Sequence, residues 1–131
     1  MDDLQLILSD LAVLPGWEER YEYIIDLGRQ LPPFPPAQMT EANLVRGCTS
    51  TVYMTIGWNK GMLELGLTSD ALIVNGLLAL VYAAYHGQTK RDAQVVNLPM
   101  LLERTALLEH LSPNRRHGFA SVMERVFKFI A

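Results

Sequence analysis

The sequence predicts an α+β fold, a small antiparallel sheet with helices before and after it. Apolar residues recur at helical spacing in both flanks of the chain, whereas between Thr51 and Leu67 the period drops to two. The 131 residues, 50% hydrophobic and 19% charged, fit a single domain over residues 1–131 and leave little room for a second.

Leu4, Ile7, Leu8 and Leu11 mark a first short helix that stops at Pro15-Gly16. Trp17, Tyr21, Ile24, Ile25, Gly28 and Leu31 share one face of a second, whose opposite face carries Glu18, Glu19, Glu22, Asp26 and Arg29. Pro32-Pro33-Phe34-Pro35-Pro36 cannot continue it, because each proline lacks an amide donor and biases its predecessor towards extended backbone; a stiff, extended connector is expected. Val52, Met54, Ile56 and Trp58 then alternate with Thr51, Tyr53, Thr55 and Gly57, as in a half-buried strand. Asn59-Lys60-Gly61 is a turn, and Leu63, Leu65 and Leu67 face one way on the returning strand, so the hairpin needs a cover of helices on one face. Thr68-Ser69-Asp70 offers side-chain acceptors to the free amides of an apolar helix from Ala71 to Tyr85, and Gly87 suits its end. His86, beside that end, is expected to meet the last carbonyls. Thr89 to Asp92 has the spacing of a capping box, and Leu98-Pro99 and Ser112-Pro113 read as further helix starts with proline in the first turn. Phe119, Val122, Met123, Val126 and Ile130 form the stripe of a last helix.

Eleven Lys and Arg against fourteen Asp and Glu give a net charge of -3, so no positive field drives binding to nucleic acid and none is expected as a partner. The charge is uneven: residues 1–45 hold eight carboxylates against Arg20 and Arg29, the remainder six against nine basic residues, an asymmetry that bears on partners. The most apolar run, Ala71 to Tyr85, falls short of the roughly 20 residues of a membrane span, and Met1-Asp2-Asp3 is acidic where a secretory or transit peptide is basic. No membrane association and a cytoplasmic, reducing location are expected. A single cysteine, Cys48, excludes an intrachain disulfide and a four-thiolate cluster within one chain, and His86, His110 and His117 share no metal-ligand spacing, so no metal is expected.

Cys48 stands in Val45-Arg46-Gly47-Cys48-Thr49-Ser50, between the connector and the first strand. Gly47 permits a tight turn or the close approach of another backbone, and Arg46 favours the thiolate on condition that its side chain turns towards the sulfur. Free cysteine is otherwise most often a small, inert hydrophobe of the core. The ordered set Trp17-Glu18-Glu19-Arg20-Tyr21, Leu27-Gly28, Leu31-Pro32, Val45-Arg46-Gly47-Cys48, Ser69 to Gly76 and Leu111-Ser112-Pro113-Asn114-Arg115 resembles the SufE family of sulfur-acceptor proteins. The resemblance runs from about Leu14 to the C-terminus, at the family's spacings.

It implies helices packed around a small curved antiparallel sheet, a fold shared with the iron-sulfur scaffold proteins. It implies too that Cys48 takes sulfur from the persulfide of a PLP-dependent cysteine desulfurase, that the protein stimulates that enzyme, and that the sulfur passes to a downstream iron-sulfur assembly protein. No cofactor of its own is implied, since PLP belongs to the partner, and a homodimer is among the assemblies admitted. Arg46, Gly47, Thr49, Asp70 and Arg115 become the cysteine-loop and partner-facing residues. From the residues alone, Asp70 reads as an N-cap and Arg115-Arg116 as a solvated face. Many relatives read C-Q-S-Q-V-W where this chain has Cys48-Thr49-Ser50-Thr51-Val52-Tyr53, two amides shortened to hydroxyls and an indole replaced by a phenol, and Lys is frequent where Asn75 stands.

The transfer has a plain chemical form: a Cys48 thiolate attacks the outer sulfur of the donor persulfide and releases the donor thiolate. The product is open to attack by any thiol, so an apolar shelter is expected, with Phe34, Met39, Leu44 and the hairpin's apolar side chains as available lining. Two other classes stay open. A cysteine-dependent hydrolase or transferase needs a base on Cys48, which no histidine's sequence context supplies, and a cluster-assembly scaffold of the same fold needs more ligands than one cysteine.

Overall fold

The computed structural model describes residues 4–47 and 50–131. Its centre is the apolar helix α3 (Leu72–Tyr85), buried along nearly its whole circumference. A helix without a polar face must be covered on every side. The hairpin of β1 (Val52–Asn59) and β2 (Met62–Ser69) packs on it from one direction and α2 (Trp17–Gly28) from another, with α1 (Leu4–Val13) and α6 (Pro113–Ile130) completing the cover. The fold is thus α+β, with an open two-stranded antiparallel sheet among the described residues.

Lys60 and Gly61 both have positive φ, 52° and 78°, as a two-residue hairpin turn requires. The register sets Val52 opposite Ser69, Met54 opposite Leu67, Ile56 opposite Leu65 and Trp58 opposite Leu63. Val52, Met54, Leu63, Leu65 and Leu67 are buried on the α3 side. Trp58, expected to join them, is 40% exposed; at this far end of the hairpin its ring neighbour is Phe129 of α6, 5.6 Å away. The other face is not bare. Phe34 of the connector is buried against it, stacked with Tyr53 at 6.3 Å, and a Cβ on Gly66 would come within 3.3 Å of its ring.

The connector is extended only as far as Pro35. Pro36 opens a 3-10 turn (Pro36–Gln38), because a helical first turn has no use for the amide that proline lacks, and a second such turn follows at Glu41–Asn43. Val45 then returns to β1, its N–H donating to the Val52 carbonyl at 2.9 Å.

Helices α2 and α3 cross at a pair of glycines. A Cβ on Gly76 would strike the Ile24 carbonyl, and one on Gly28 would lie 2.7 Å from the Gly76 nitrogen. The periodicity predicts a second helix as far as Leu31; its last turn instead tightens beyond Gly28, with Gln30 N–H donating to Leu27 O and Leu31 N–H to Gly28 O.

After α3, Gly87 (φ 81°) turns the chain back along β2. His86 therefore reaches the sheet and not the helix carbonyls expected of it: its Nδ1 accepts from Leu65 N–H at 3.2 Å. The short helices α4 (Lys90–Gln94) and α5 (Leu98–Leu102) begin at Thr89 and Asn97, whose side chains accept from Asp92 and Met100 N–H. Tyr85 ties this region to α3, its hydroxyl donating to Val96 O at 2.9 Å and accepting from Leu98 N–H at 3.1 Å. Among the described residues no helix is long and apolar enough to cross a membrane.

Candidate functional site

Cys48 and Thr49 lie outside the described residues, so the site is built from what flanks them. Gly47 has φ 90°, and a Cβ there would come 2.8 Å from Ser121 Oγ and 3.4 Å from His117 Nε2 of α6. Only glycine satisfies both the backbone and the close approach. Beside it, the Arg46 guanidinium pairs with Glu41 at 2.8 Å, both side chains exposed. The 3-10 turn thus pairs with this cation in an exposed contact worth about 0–1 kcal/mol, and its relation to the sulfur lies outside the described residues.

On the other side, Ser50 opens onto a crevice between the start of β1, α3 and α6, walled by Val52, Val74, Leu77, Leu78, Phe119 and Val122. Arg115 and Asn114 of α6 also line it, and the Arg115 residue is exposed. Of the side chains expected as lining, Val52 of the hairpin belongs to this crevice, whereas Phe34 is engaged on the outer face of the hairpin, Leu44 bridges Tyr53, and Met39 lines a separate groove with Thr51, Tyr53 and Asp70. Two of the positions that depart from the family pattern are thereby placed: Thr51 is exposed on that groove, and Tyr53 is half-buried there.

Asp70 is not a helix cap. Its Oδ1 accepts from Thr51 N–H at 3.1 Å and closes the open end of the hairpin, next to the segment that carries Cys48. Helix α3 starts one residue later than expected, at Leu72 after Ala71, with no side-chain cap. The junction is held by Asn75, whose Oδ1 accepts from Ser69 N–H and whose Nδ2 donates to Ser69 O, both at 2.8 Å. One primary amide inside an otherwise apolar helix was the available signal, since a buried polar side chain requires partners.

Arg115 owes its position to the segment Trp17–Tyr21, far away in the sequence. Arg20 donates to Leu14 O (3.1 Å) and Thr105 O (3.4 Å) and lies 4.8 Å above the Trp17 ring, Trp17 stacks on His110 at 3.7 Å, and the Tyr21 hydroxyl donates to His110 O at 2.8 Å. That clasp fixes the loop from which Ser112 caps α6, its Oγ accepting from Arg115 N–H. Arg115 lines a second, open groove as well, with Tyr21, Ile25, Leu72 and Ile73, where Leu72 is 60% exposed. Arg116 lines neither. His117 and Ser121, which the sequence does not single out, meet Gly47; Asn114, His117, Gly118 and Ser121 recur at helical spacing, a polar and small stripe adjoining the apolar one.

The structure therefore gathers Gly47, Ser50, Asp70 and Arg115 around the start of β1, with Arg46 held by Glu41. An apolar crevice with a guanidinium on its lining can exclude water from a small polarizable group and pair with an anion at its mouth.

Comparison with known proteins gives two findings. The family model of SufE, the Fe-S metabolism associated domain, matches residues 5–130. Among solved structures, the fold is similar to the solution structure of a hypothetical protein from Thermus thermophilus, with a TM-score of 0.79 and 21% identity over 97% of this chain and 92% of that one.

Proposed function

The chain belongs to the SufE family of Fe-S metabolism, and from that premise we propose that it is a sulfur acceptor and carrier that works through Cys48. A PLP-dependent cysteine desulfurase presents a persulfide; the Cys48 thiolate attacks its outer sulfur, the donor's S–S bond breaks, and the donor leaves as a thiolate. Relieved of its persulfide, the desulfurase turns over again, and Cys48 hands the sulfur to an iron-sulfur assembly protein. The observation that carries this reading is the Arg46-Gly47-Cys48 segment itself, flanked on one side by Gly47 against α6 and on the other by an apolar crevice beside Arg115. Such a crevice is a shelter in which a persulfide is kept from other thiols.

Intact-mass measurement after incubation with a cysteine desulfurase, PLP and cysteine tests it. Wild-type protein gains sulfur that a thiol reductant removes, whereas Cys48→Ser gains none. Persulfide on the serine variant, or undiminished stimulation of the desulfurase by Cys48→Ala, overturns the carrier role. The surface is tested by Arg115→Ala against Arg116→Ala. Arg115 lines both the crevice and the neighbouring groove, so its loss raises the carrier concentration needed for half-maximal stimulation by about thirtyfold, the lower end for a paired interface arginine. Arg116→Ala leaves that concentration unchanged, and an equal effect of the two returns Arg115 to a solvated face.

A further inference from the structure

The two outer edges of the hairpin are treated differently. On β2 the outward groups are closed at both ends and at Leu65 N–H, while Leu67 has no backbone partner among the described residues. Leu63 N–H donates to Gln88 O and its carbonyl accepts from Gly87, Leu65 N–H donates to His86 Nδ1, and both backbone groups of Ser69 bond the Asn75 amide. In the register, the residues opposite these on β1 also point outward, and they run from Val52 through Met54 and Ile56 to Trp58. Val45 closes the Val52 carbonyl. The same bridge, of Leu44 with Tyr53, turns the Met54 N–H towards the Asn43 carbonyl, and beyond it the outward N–H and C=O groups of Ile56 and Trp58 have no backbone partner among the described residues.

Such a stretch is a template for another strand unless something covers it. Here Met54 and Ile56 line an open groove that Ala42 and Asn43 of the second 3-10 turn also line, and whose other wall is Arg125, Lys128 and Phe129 of α6. Arg125 has no ion pair among the described residues, and Lys128 holds only the exposed Glu124 at 2.9 Å. We propose that the Ile56–Trp58 edge is a docking surface that takes an extended acidic segment of a partner protein as a third strand, continuing the edge where the Leu44 bridge leaves off. Backbone hydrogen bonds supply the pairing, and the side chains of the added strand that point towards α6 meet the two cations and the Phe129 ring. The same cations select the occupant. They repel a basic strand, and they repel a second copy of this edge, which would bring its own Arg125 and Lys128 to the same groove. This docking surface is independent of the sulfur-acceptor role and stands or falls apart from it.

Amide hydrogen exchange resolved by residue is the test, with a short synthetic peptide of alternating Glu and Val as probe and a Lys-Val peptide as its counterpart. In the free protein the Ile56 and Trp58 amides exchange fast while Tyr53, Thr55 and Gly57 are protected by β2. Saturating Glu-Val peptide slows the first two by about tenfold or more and leaves the other three unchanged. The protection is lost with Arg125→Glu/Lys128→Glu, and because that reversal could unsettle α6, the same charge dependence is read on the wild-type protein as weakening with added salt. Absence of alternate-residue protection, or equal protection by the Lys-Val peptide, overturns the proposal. Slow exchange at the Ile56 and Trp58 amides in free protein that sediments as a dimer also overturns it, since a second copy then holds the edge.

Discussion

Gly47 concentrates the constraints on the cysteine segment in one residue. Gly47→Ala adds a Cβ 2.8 Å from Ser121 Oγ and places a side-chain-bearing residue at φ 90°. The expected cost is about 1–3 kcal/mol, read from thermal or urea unfolding. Pairing it with Ser121→Ala separates the two causes, because removal of the hydroxyl relieves the overlap and leaves the backbone strain of about 1–2 kcal/mol. Full recovery in the double variant would show that the backbone conformation contributes nothing. Asn75 and His86 teach a related lesson. Both are polar groups at the margins of an apolar helix, and both serve β2, at Ser69 and Leu65 respectively. Their residue types announce that they need partners, but only the folded chain says which.

Among the elements, the crossing of α2 on α3 is the most sensitive to substitution. Gly76 meets the backbone of Ile24 and Gly28 meets the backbone of Gly76, so no rotamer change relieves an added methyl group. Gly76→Ala is expected to destabilise the protein by about 1–3 kcal/mol or more, measured as a lower urea midpoint, although alanine is the better helix former. Gly28→Ala should act in the same direction, and the two should not add, since one separation of the helices accommodates both. Gly28 and Gly76 thus belong to the recognisable pattern of the sequence for a packing reason. The Trp17–Tyr21 segment belongs to it for another, because it clasps the loop that starts α6 and so sets where Arg115 stands.

Across the whole molecule, Tyr85 joins the buried helix to the region of α4 and α5. Burial raises its pKa above the ordinary 10.0, against the opposing effect of its hydrogen bond with the Leu98 backbone. The folded phenol therefore holds its proton at pH values where the unfolded one has begun to lose it, so the stability it contributes is intact below about pH 10 and falls as the pH rises past that point. Tyr82, raised first by burial and then by Glu64, adds to the same alkaline fall. Urea midpoints between neutral pH and about pH 11 should decline for wild-type protein and decline less for Tyr85→Phe. At neutral pH that variant should already be weaker by about 1–3 kcal/mol, because Leu98 N–H and Val96 O lose their partner. An unchanged alkaline slope in Tyr85→Phe would leave Tyr82 to account for it.

The sequence by itself determined the class of the fold, the hairpin and its turn, the capped helix starts at Thr89 and Ser112, and the stop at Gly87. These rest on periodicity and on the local chemistry of proline, glycine and capping side chains, which act within a few residues. It pointed to Gly47, Asp70 and Arg115 through family resemblance, without saying what any of them touches. Only the tertiary structure decided that Asp70 bonds Thr51 and not a helix end, that Arg46 pairs with Glu41, that Trp58 leaves the core for Phe129, and that the crevice wall comes from α3 and α6. Each of these depends on which distant elements meet and at what angle, and that is set by how an all-round apolar α3 is covered, not by the local pattern around any one residue.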